Sequence, residues 1–244
     1  MSNFHRRRFL KLGLGATAAG TGLVTAAAIA KRYGLVPPTK SLLYAPGDTL
    51  TYASQRLLTT HALAREFSRE QISKSPFANG HTPAGEEYKH SQAGSFANWK
   101  LAVKGLVARP QSFSLADIRS FPARTQITQL VCEEGWSYIA EWKGALLADL
   151  LHQAEVLPKA RYVVYYSRDN WTDAVDMADA LHPQTLVTYG MNGEDLPIRH
   201  GGPLRMRVPR QLGYKSVKFM HLLVVTDTLK GFVNPGEYSW YAGV

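Results

Sequence analysis

Short strand-like and helix-like segments follow one another from residue 99 onward without a regular strand–helix–strand repeat. The clearest helical pattern is residues 145–156, where leucines recur three and four positions apart. Strands are predicted where apolar residues alternate or form a short run: from Trp99, at 125–131, at 162–166 and at 217–226. A doubly wound parallel sheet requires that regular repeat, so the pattern predicts an α+β domain.

Shorter signals mark turns and helix ends. Ser114 and Asp117 are spaced as a capping box at the start of a short helix, and Asn192-Gly193 is a typical hairpin turn. Weaker apolar spacing predicts a helix over residues 48–70. The composition of residues 75–98 predicts a turn-rich loop of the length usually kept for binding or disorder.

The first thirty residues carry an export pattern. The basic segment His5-Arg6-Arg7-Arg8-Phe9-Leu10-Lys11 precedes a Gly- and Ala-rich apolar stretch that ends in Ala28-Ile29-Ala30. This arrangement is typical of the twin-arginine export machinery and predicts a periplasmic protein, with the signal either cleaved or kept as a membrane anchor. Cleavage is favoured because glycines and threonines dilute the apolar stretch. The predicted division is a signal at 1–30, an extension with a helix at 31–74 and the main domain at 75–244.

The net charge of +9 first suggests a nucleic-acid binder. Four of the 28 basic residues lie in the export pattern, so 24 basic residues face 19 acidic ones in the rest of the chain. No dense basic tract with interleaved aromatic residues is present, which argues against nucleic acid as a partner and favours a small-molecule substrate. The chain has one cysteine, so an internal disulfide and a zinc site with several thiolates are excluded.

That cysteine, Cys132, stands at the end of a predicted strand and is followed by Glu133-Glu134-Gly135-Trp136. A lone cysteine is often a buried packing residue, and composition alone favours this interpretation. The alternative is a thiolate that ligates a soft metal. Neighbouring carboxylates raise the pKa of a thiol and disfavour a free nucleophile, whereas a metal would itself hold the thiolate.

A second group of chemistry-bearing residues lies between His200 and Lys218. In a strand, Arg205 and Arg207 share one face while Met206 points to the other, so one face meets the core and the other presents two guanidiniums. Neighbouring glycines allow a ligand to approach the backbone closely, which suits a phosphate or pyrophosphate. A solvated edge strand with basic side chains explains the same pattern equally well.

Five ordered segments carry a family resemblance: 131–137 (VCEEGWS), 142–144 (WKG), 181–186 (LHPQTL), 201–205 (GGPLR) and 213–218 (GYKSVK). In this order they resemble the sulfite oxidase family of molybdopterin-dependent oxidoreductases, most closely its bacterial periplasmic branch of methionine sulfoxide reductase catalytic subunits. The resemblance covers about residues 75–244, and the ordered set is far more specific than any one segment. It implies a mixed α+β molybdopterin-binding fold and a molybdenum-dependent oxidoreductase with a molybdenum–molybdopterin cofactor.

The resemblance also implies roles for individual residues. Cys132 matches the only protein ligand to molybdenum, and Glu134 matches a carboxylate near the metal. Arg205 matches an arginine that binds the cofactor phosphate. The other positions that match cofactor contacts are Asn79, Ser167, His200, Ser216, Val217 and Lys218. Glu134, Trp136 and Tyr138 are expected to line the mouth of the site, with Glu134 as a proton relay.

One departure from the family pattern concerns the substrate. Sulfite-oxidising members carry an arginine shortly after the ligand cysteine, whereas here Glu133 and Glu134 follow it and would repel an anion. The expected reaction is transfer of an oxygen atom to or from a small substrate, with S-oxide reduction favoured over a sulfite dehydrogenase-like activity. The sequence contains no haem-attachment motif, so electrons are expected to come from a partner, and the resemblance implies that this partner is a membrane cytochrome b.

Beside this enzymatic function, the sequence leaves open two functions that involve no catalytic turnover. The chain could be a molybdopterin-binding electron-relay module, which a substrate-dependent change in the molybdenum spectrum would distinguish from an enzyme. It could also be a metal-free periplasmic scaffold in which Cys132 only packs, and Cys132→Ser would then leave folding and function intact.

Overall fold

The computed structural model describes residues 45–232, and the predicted export signal at 1–30 lies outside them. The chain divides after Leu57 into two compact units. The described part of the first unit belongs to helix α1 (Ala45–Thr59). Among the described residues, no helix combines the length and the apolar character needed to cross a membrane. The fold below is that of the second unit, which begins at Leu58.

Within residues 58–232, ten strands form two sheets of five strands each. The strands are β1 (Lys100–Gly105), β2 (Gln111–Ser114), β3 (Ala123–Val131), β4 (Ser137–Leu146), β5 (Tyr162–Ser167), β6 (Thr172–Asp176), β7 (Leu186–Met191), β8 (Glu194–Asp195), β9 (Arg205–Arg207) and β10 (Met220–Thr226). Four short helices accompany them: α2 (Glu86–Ala93), α3 (Leu115–Ser120), α4 (Leu147–Gln153) and α5 (Met177–Ala180).

The two sheets are mainly antiparallel. The first has the order β2-β1-β10-β5-β6, in which only β1 and β10 run parallel. The second has the order β3-β4-β7-β8, with β9 paired to β7, and all of its pairs are antiparallel. Sheets of this kind with helices set between strands in irregular order confirm the predicted α+β class.

One core joins the two sheets. It combines Leu101 of β1 and Leu223 of β10 with Val187 of β7, and all three are fully buried. Leu147 and Leu150 of α4 are buried in the same cluster, so the leucine spacing of the sequence marks the face of α4 that meets the sheets. Each such leucine contributes about 1.5–3 kcal/mol by leaving water.

Two local predictions are confirmed by hydrogen bonds and dihedral angles. At the start of α3, the Asp117 amide donates to Ser114 Oγ at 3.1 Å, and the Ser114 amide donates to Asp117 Oδ2 at 2.8 Å. Asn192 and Gly193 have φ values of 54° and 86° and join β7 to β8. Positive φ at both residues is what a tight two-residue hairpin requires.

The predicted helix over residues 48–70 is wrong in its second half, because α1 ends at Thr59. Residues 64–73, named here the edge segment, lie along the second sheet instead. The Phe67 amide donates to Ile127 O at 2.9 Å, and the Ser73 amide donates to Ile139 O at 2.9 Å. Hydrogen bonds to the sheet therefore replace the helical ones, because the apolar spacing over this segment is too weak to stabilise a helix.

Several other predicted helix and strand boundaries differ from the observed ones. The helix predicted over 145–156 starts at Leu147, because Ala145 and Leu146 still pair with β7, and it ends at Gln153. Residues 75–98 include helix α2, which the turn-rich composition did not predict. The strand predicted from residue 217 begins at Met220, since Phe219 has a positive φ of 51°, outside the strand region.

Gly144 lies where the pairing of β4 with β7 shifts register. A Cβ at this position would lie 2.3 Å from Val187 O and 2.8 Å from the Thr188 Cα. Because both are backbone atoms of the partner strand, we expect Gly144→Ala to lower the free energy of unfolding by about 1–3 kcal/mol, measured by urea denaturation.

Gly85→Ala is the matched control. Gly85 precedes α2, its φ is −65°, and no atom lies within 4 Å of a Cβ built there. We expect this variant to stay within about 0.5 kcal/mol of the wild-type chain. Equal losses in the two variants would contradict the role given to the close approach at Gly144.

Candidate active site

A cavity of about 250 Å³ opens where the loop after β3 meets loops from the rest of the domain. Its walls come from five segments: residues 77–81, the loop 132–138, residues 169–171 after β5, the turn that leads into β9, and residues 213–218. The sequence-predicted residues in its lining are Asn79, Cys132, Glu134, Trp136, Tyr138, His200, Arg205, Ser216, Val217 and Lys218. Segments far apart in the sequence thus converge on one chamber.

Cys132 occupies the turn between β3 and β4. Its amide donates to Trp136 O at 2.9 Å, and its carbonyl accepts from the Gly135 amide at 3.1 Å. Gly135 has a φ of 92°, which lets the chain reverse within this short loop. The cysteine is 7% exposed, so the two longest strands of the second sheet hold its sulfur at the cavity wall.

Two carboxylates face the sulfur of Cys132. Glu133 Oε2 lies 3.4 Å and Glu134 Oε2 lies 3.9 Å from Sγ. The pKa of the thiol is raised to about 11, mainly by burial and also by the hydrogen bond and negative charge of Glu133 and the charge of Glu134, while a hydrogen bond from the Glu134 backbone acts in the opposite direction. The free side chain is therefore a neutral thiol near pH 7, and only a bound cation would hold it as a thiolate.

Glu134 is held in place by two donors. Asn79 Nδ2 donates to Glu134 Oε2 at 2.9 Å, and Trp136 Nε1 donates to the same oxygen at 2.7 Å. Asn79 in turn accepts from the Gly80 amide at 2.7 Å. The carboxylate predicted to lie near the metal therefore has a fixed orientation beside the cysteine.

Positive charge gathers in another part of the lining. Arg205 is 4% exposed; its Nη1 donates to His200 O at 2.9 Å, and its buried Nε has no hydrogen-bond partner. Lys218 donates to the carbonyls of Arg199, at 2.8 Å, and Asn79. Burial, and then the charge of Arg205, lower the pKa of Lys218 to about 8.

His200 lies beside these cations and is neutral near pH 7. Burial, together with the charges of Arg205 and Lys218, lowers its pKa to about 4. Its Nδ1 lies 3.4 Å from the Tyr138 hydroxyl. A neutral imidazole can hydrogen-bond a heterocyclic ligand without adding to the positive charge.

Aromatic rings form the mouth of the cavity. Phe77 packs edge-on against Trp136 with ring centres 5.0 Å apart, and Trp136 stacks over Tyr138 at 6.1 Å. Phe77 and Trp171 are 54% and 47% exposed. Exposed aromatic surface beside a pocket is typical of a binding surface, and it gives this mouth an apolar rim.

Ser167 is the one sequence-predicted site residue outside the lining. It is buried at the end of β5, and its Oγ accepts from the Asp169 amide at 3.3 Å. Eight lining residues were not predicted individually: Phe77, Ala78, Gly80, His81, Asp169, Trp171, Gly213 and Tyr214. Phe77 and His81 belong to the segment 75–98 already noted as a loop for binding, whereas Asp169 and Trp171 carry no signal in the sequence.

The alternation predicted for β9 is confirmed, and its solvated-edge interpretation is wrong. Arg205 and Arg207 both lie over the Trp142 ring, at 5.5 and 5.3 Å, while Leu204 and Met206 belong to the main core. Both arginines are buried rather than solvated. The two guanidiniums thus share one face, as the spacing requires.

Comparison with known proteins identifies the family. The family model described as "Oxidoreductase molybdopterin binding domain" matches residues 89–232, more than half of the chain. The chain belongs to this molybdopterin-binding oxidoreductase family. It is a molybdenum-dependent oxidoreductase, and its cofactor is molybdenum–molybdopterin.

The chain is similar in sequence to three named proteins. It is 31% identical over 98% of its length to YedZ1 of Azospira oryzae, named as a candidate protein-methionine-sulfoxide reductase subunit, and covers 87% of that protein. It is 27% identical, over 98% of its length and 80% of the relative, to the protein-methionine-sulfoxide reductase catalytic subunit MsrP of Campylobacter jejuni. It is 31% identical over 60% of its length to MsrP of Ralstonia nicotianae and spans half of that chain.

A solved structure shares the fold. The sulfane dehydrogenase SoxCD of Paracoccus pantotrophus aligns with 69% of the chain at a TM-score of 0.53 and 21% identity. The aligned part makes up 46% of that larger chain. The predicted sulfite-oxidase-type architecture is therefore confirmed at the level of the fold.

The cavity suits the cofactor of this molybdopterin-binding oxidoreductase family. The thiol of Cys132 is a soft donor of the kind that suits molybdenum, and Arg205 and Lys218 would hold the phosphate, with Arg205 Nε still available as a donor. Within residues 45–232, no three or more His, Cys, Asp or Glu side chains form a group that could hold a metal ion.

We expect Cys132→Ser to remove molybdenum and leave the fold intact. Serine is nearly isosteric with cysteine but is a poor ligand for a soft metal. Elemental mass spectrometry should give about one molybdenum per wild-type chain and close to none in the variant. The far-ultraviolet circular dichroism of the two chains should coincide. Retention of molybdenum by the folded variant would rule out Cys132 as the ligand.

Proposed function

We propose that the protein is a periplasmic reductase that removes the oxygen atom from a small neutral S-oxide, with electrons supplied by a membrane cytochrome b. The observation that carries this proposal is the pair of carboxylates at the cysteine, with Glu133 Oε2 3.4 Å and Glu134 Oε2 3.9 Å from Cys132 Sγ. Two negative charges at this distance repel an anionic substrate such as sulfite.

The mouth supports the same class of substrate. Phe77, Trp136 and Trp171 present aromatic surface there, and sulfur-bearing groups pack favourably at the edges of such rings. The cations of the cavity are assigned to the cofactor phosphate; of these, Arg205 is buried and Lys218 is half-buried. An S-oxide is polar and carries no net charge, so it can approach Cys132 without meeting electrostatic repulsion.

Reduction of an S-oxide consumes two electrons and two protons and yields a thioether and water. When bound, the molybdenum–molybdopterin group supplies the two-electron redox chemistry and exchanges the oxygen atom. Cys132 would hold the metal, while Arg205 and Lys218 would fix the cofactor phosphate. Glu134 would pass on a proton carried at Oε1, because Oε2 already accepts hydrogen bonds from Asn79 Nδ2 and Trp136 Nε1, which hold the carboxyl group beside the cysteine.

Two further parts of the proposal concern location and partner. The twin-arginine pattern around Arg6 and Arg7 supports export to the periplasm. The names of three relatives include the word "subunit", which supports a separate protein as the source of electrons.

The substrate class is tested with the cofactor-loaded protein. We expect reduced viologen dye to be oxidised when methionine sulfoxide is added, and no reduction of ferricyanide when sulfite is added. Glu134→Gln should lower the rate of sulfoxide reduction by about 10²-fold or more, because it removes the proton-carrying carboxylate but keeps the oxygen that Asn79 and Trp136 contact. Sulfite oxidation at a comparable rate would overturn the proposal.

Export is tested by substituting the two arginines of the pattern. We expect Arg6→Lys with Arg7→Lys to leave the protein in the cytoplasm, because the export machinery reads the guanidinium pair and not charge alone. Cell fractionation with immunoblotting measures the distribution. Arg8→Lys is the matched control and should be exported as the wild type is. Periplasmic recovery of the double variant would refute the predicted route.

A further inference from the structure

Arg207 is a buried cation that the cofactor site described above does not use. It lies in β9, has no exposed surface, and is not part of the cavity lining. Its Nη2 donates to Thr128 Oγ1 at 3.1 Å and to Gln129 O at 2.5 Å, while its buried Nε has no hydrogen-bond partner. A guanidinium in this position needs an explanation, since transfer of a charge into the protein interior is unfavourable.

The described residues give Arg207 no compensating carboxylate. Two other cations in the interior of the described domain have one: Arg210, whose side chain is 11% exposed, pairs with Asp179 at 2.7 Å, and the buried Lys215 pairs with Asp173 at 2.5 Å. The charged group that acts most strongly on Arg207 is instead Arg205, which lowers the pKa of Arg207 in addition to the larger effect of burial. Two like charges are thus held close together.

Trp142 stabilises both arginines without neutralising them. The guanidinium carbon of Arg205 lies 5.5 Å and that of Arg207 lies 5.3 Å from the centre of its ring, and the indole is fully buried. The face of an indole attracts cations through its quadrupole but carries no net charge. The positive potential of the pair therefore remains available to a ligand in the cavity.

Arg207 also reaches the cavity lining through one side chain. Its Nη1 lies 3.4 Å from Ser216 Oγ, which also accepts from the Val208 amide at 3.2 Å. Ser216 lines the cavity. Because its oxygen accepts from two donors behind the wall, the hydroxyl proton is directed away from them and toward an acceptor in the cavity.

We propose that Arg207 is a positioning residue for the anionic part of the cofactor: it orients Ser216 and, together with Arg205, maintains a positive potential that the described residues leave uncompensated and that the cofactor phosphate neutralises when it binds. Arg207 acts without touching the ligand. The proposal concerns retention of the cofactor and is independent of which substrate is turned over.

The test compares two substitutions in the cofactor-loaded chain. Arg207→Lys keeps the charge and loses the fork of donors, while Arg207→Gln loses the charge and keeps an amide donor. Molybdenum per chain is measured by elemental mass spectrometry, and release of the pterin during dialysis by fluorescence after oxidation. We expect Arg207→Gln to release the pterin about tenfold faster or more, and Arg207→Lys to lie between it and the wild type.

Arg119→Gln is the matched control. Arg119 also stacks on an aromatic ring, with its guanidinium 5.0 Å from the centre of the Tyr189 ring, but it pairs with Asp195 at 2.8 Å and does not line the cavity. It should release the pterin at the wild-type rate. Equal release from Arg207→Lys and Arg207→Gln would assign Arg207 to packing alone and overturn the proposal, as would wild-type retention by Arg207→Gln.

A second measurement distinguishes a role in cofactor binding from poor folding of the Arg207→Gln variant. The full-length wild type and Arg207→Gln are produced in a host that cannot make molybdopterin, and thermal unfolding of these chains is compared with that of the loaded ones. We expect the substitution to lower the melting temperature of the loaded chain by several degrees more than that of the cofactor-free chain. Equal lowering of both, or an unfolded variant where the cofactor-free wild type folds, would mean that Arg207 serves the fold and not the cofactor.

Discussion

The interior of the domain is organised around positive charge that no carboxylate of residues 45–232 neutralises. Arg205 and Arg207 are buried on one face of a three-residue strand, and the indole of Trp142 is the group against which both lie. Such an arrangement requires a rigid surround, because water must be excluded and most of the N–H groups must find acceptors. The carbonyls of His200 and Gln129 and the hydroxyls of Thr128 and Ser216 meet that requirement.

The β3–β4 hairpin links this charged interior to the metal site. Trp142 lies within β4, fully buried, and Cys132 lies in the turn that connects the two strands. The nine registered pairs between β3 and β4 fix the distance from the turn to the indole along one continuous ladder. The turn that carries the soft ligand and the indole against which the two arginines lie therefore belong to one rigid element, which suits binding of an elongated cofactor.

Much of the fold was predictable wherever a local signal was strong. The capping box of Ser114 and Asp117, the Asn192-Gly193 turn and the apolar run of β5 depend on interactions within a few residues, and all three are confirmed. The end of α1 was not predictable, because residues 64–73 adopt their conformation by pairing with strands about 60 residues away in sequence. The pattern of a single sequence does not show that a distant strand competes with the helix for the hydrogen bonds of these residues.

The candidate site was also only partly predictable from the sequence. Cys132, Glu134 and Arg205 were predicted because their segments carry a recognisable order of residues, and the structure brings them to one cavity. Asp169 and Trp171 join the same lining only because β5 and β6 turn there, which no spacing in the sequence indicates. Burial of both β9 arginines was equally hidden, since alternation gives the two faces of a strand but not which of them meets water.

The edge segment has a consequence for how the protein behaves at high concentration. β3 is the outermost strand of its sheet and is nine residues long, and an open edge of this length is a template for pairing with another chain. Residues 64–73 lie against this sheet, with a bridge from Glu66 to Thr128 and a hydrogen bond from Phe67 to Ile127 O. A chain truncated before residue 74 would expose these groups of β3, so the segment guards against aggregation through strand pairing.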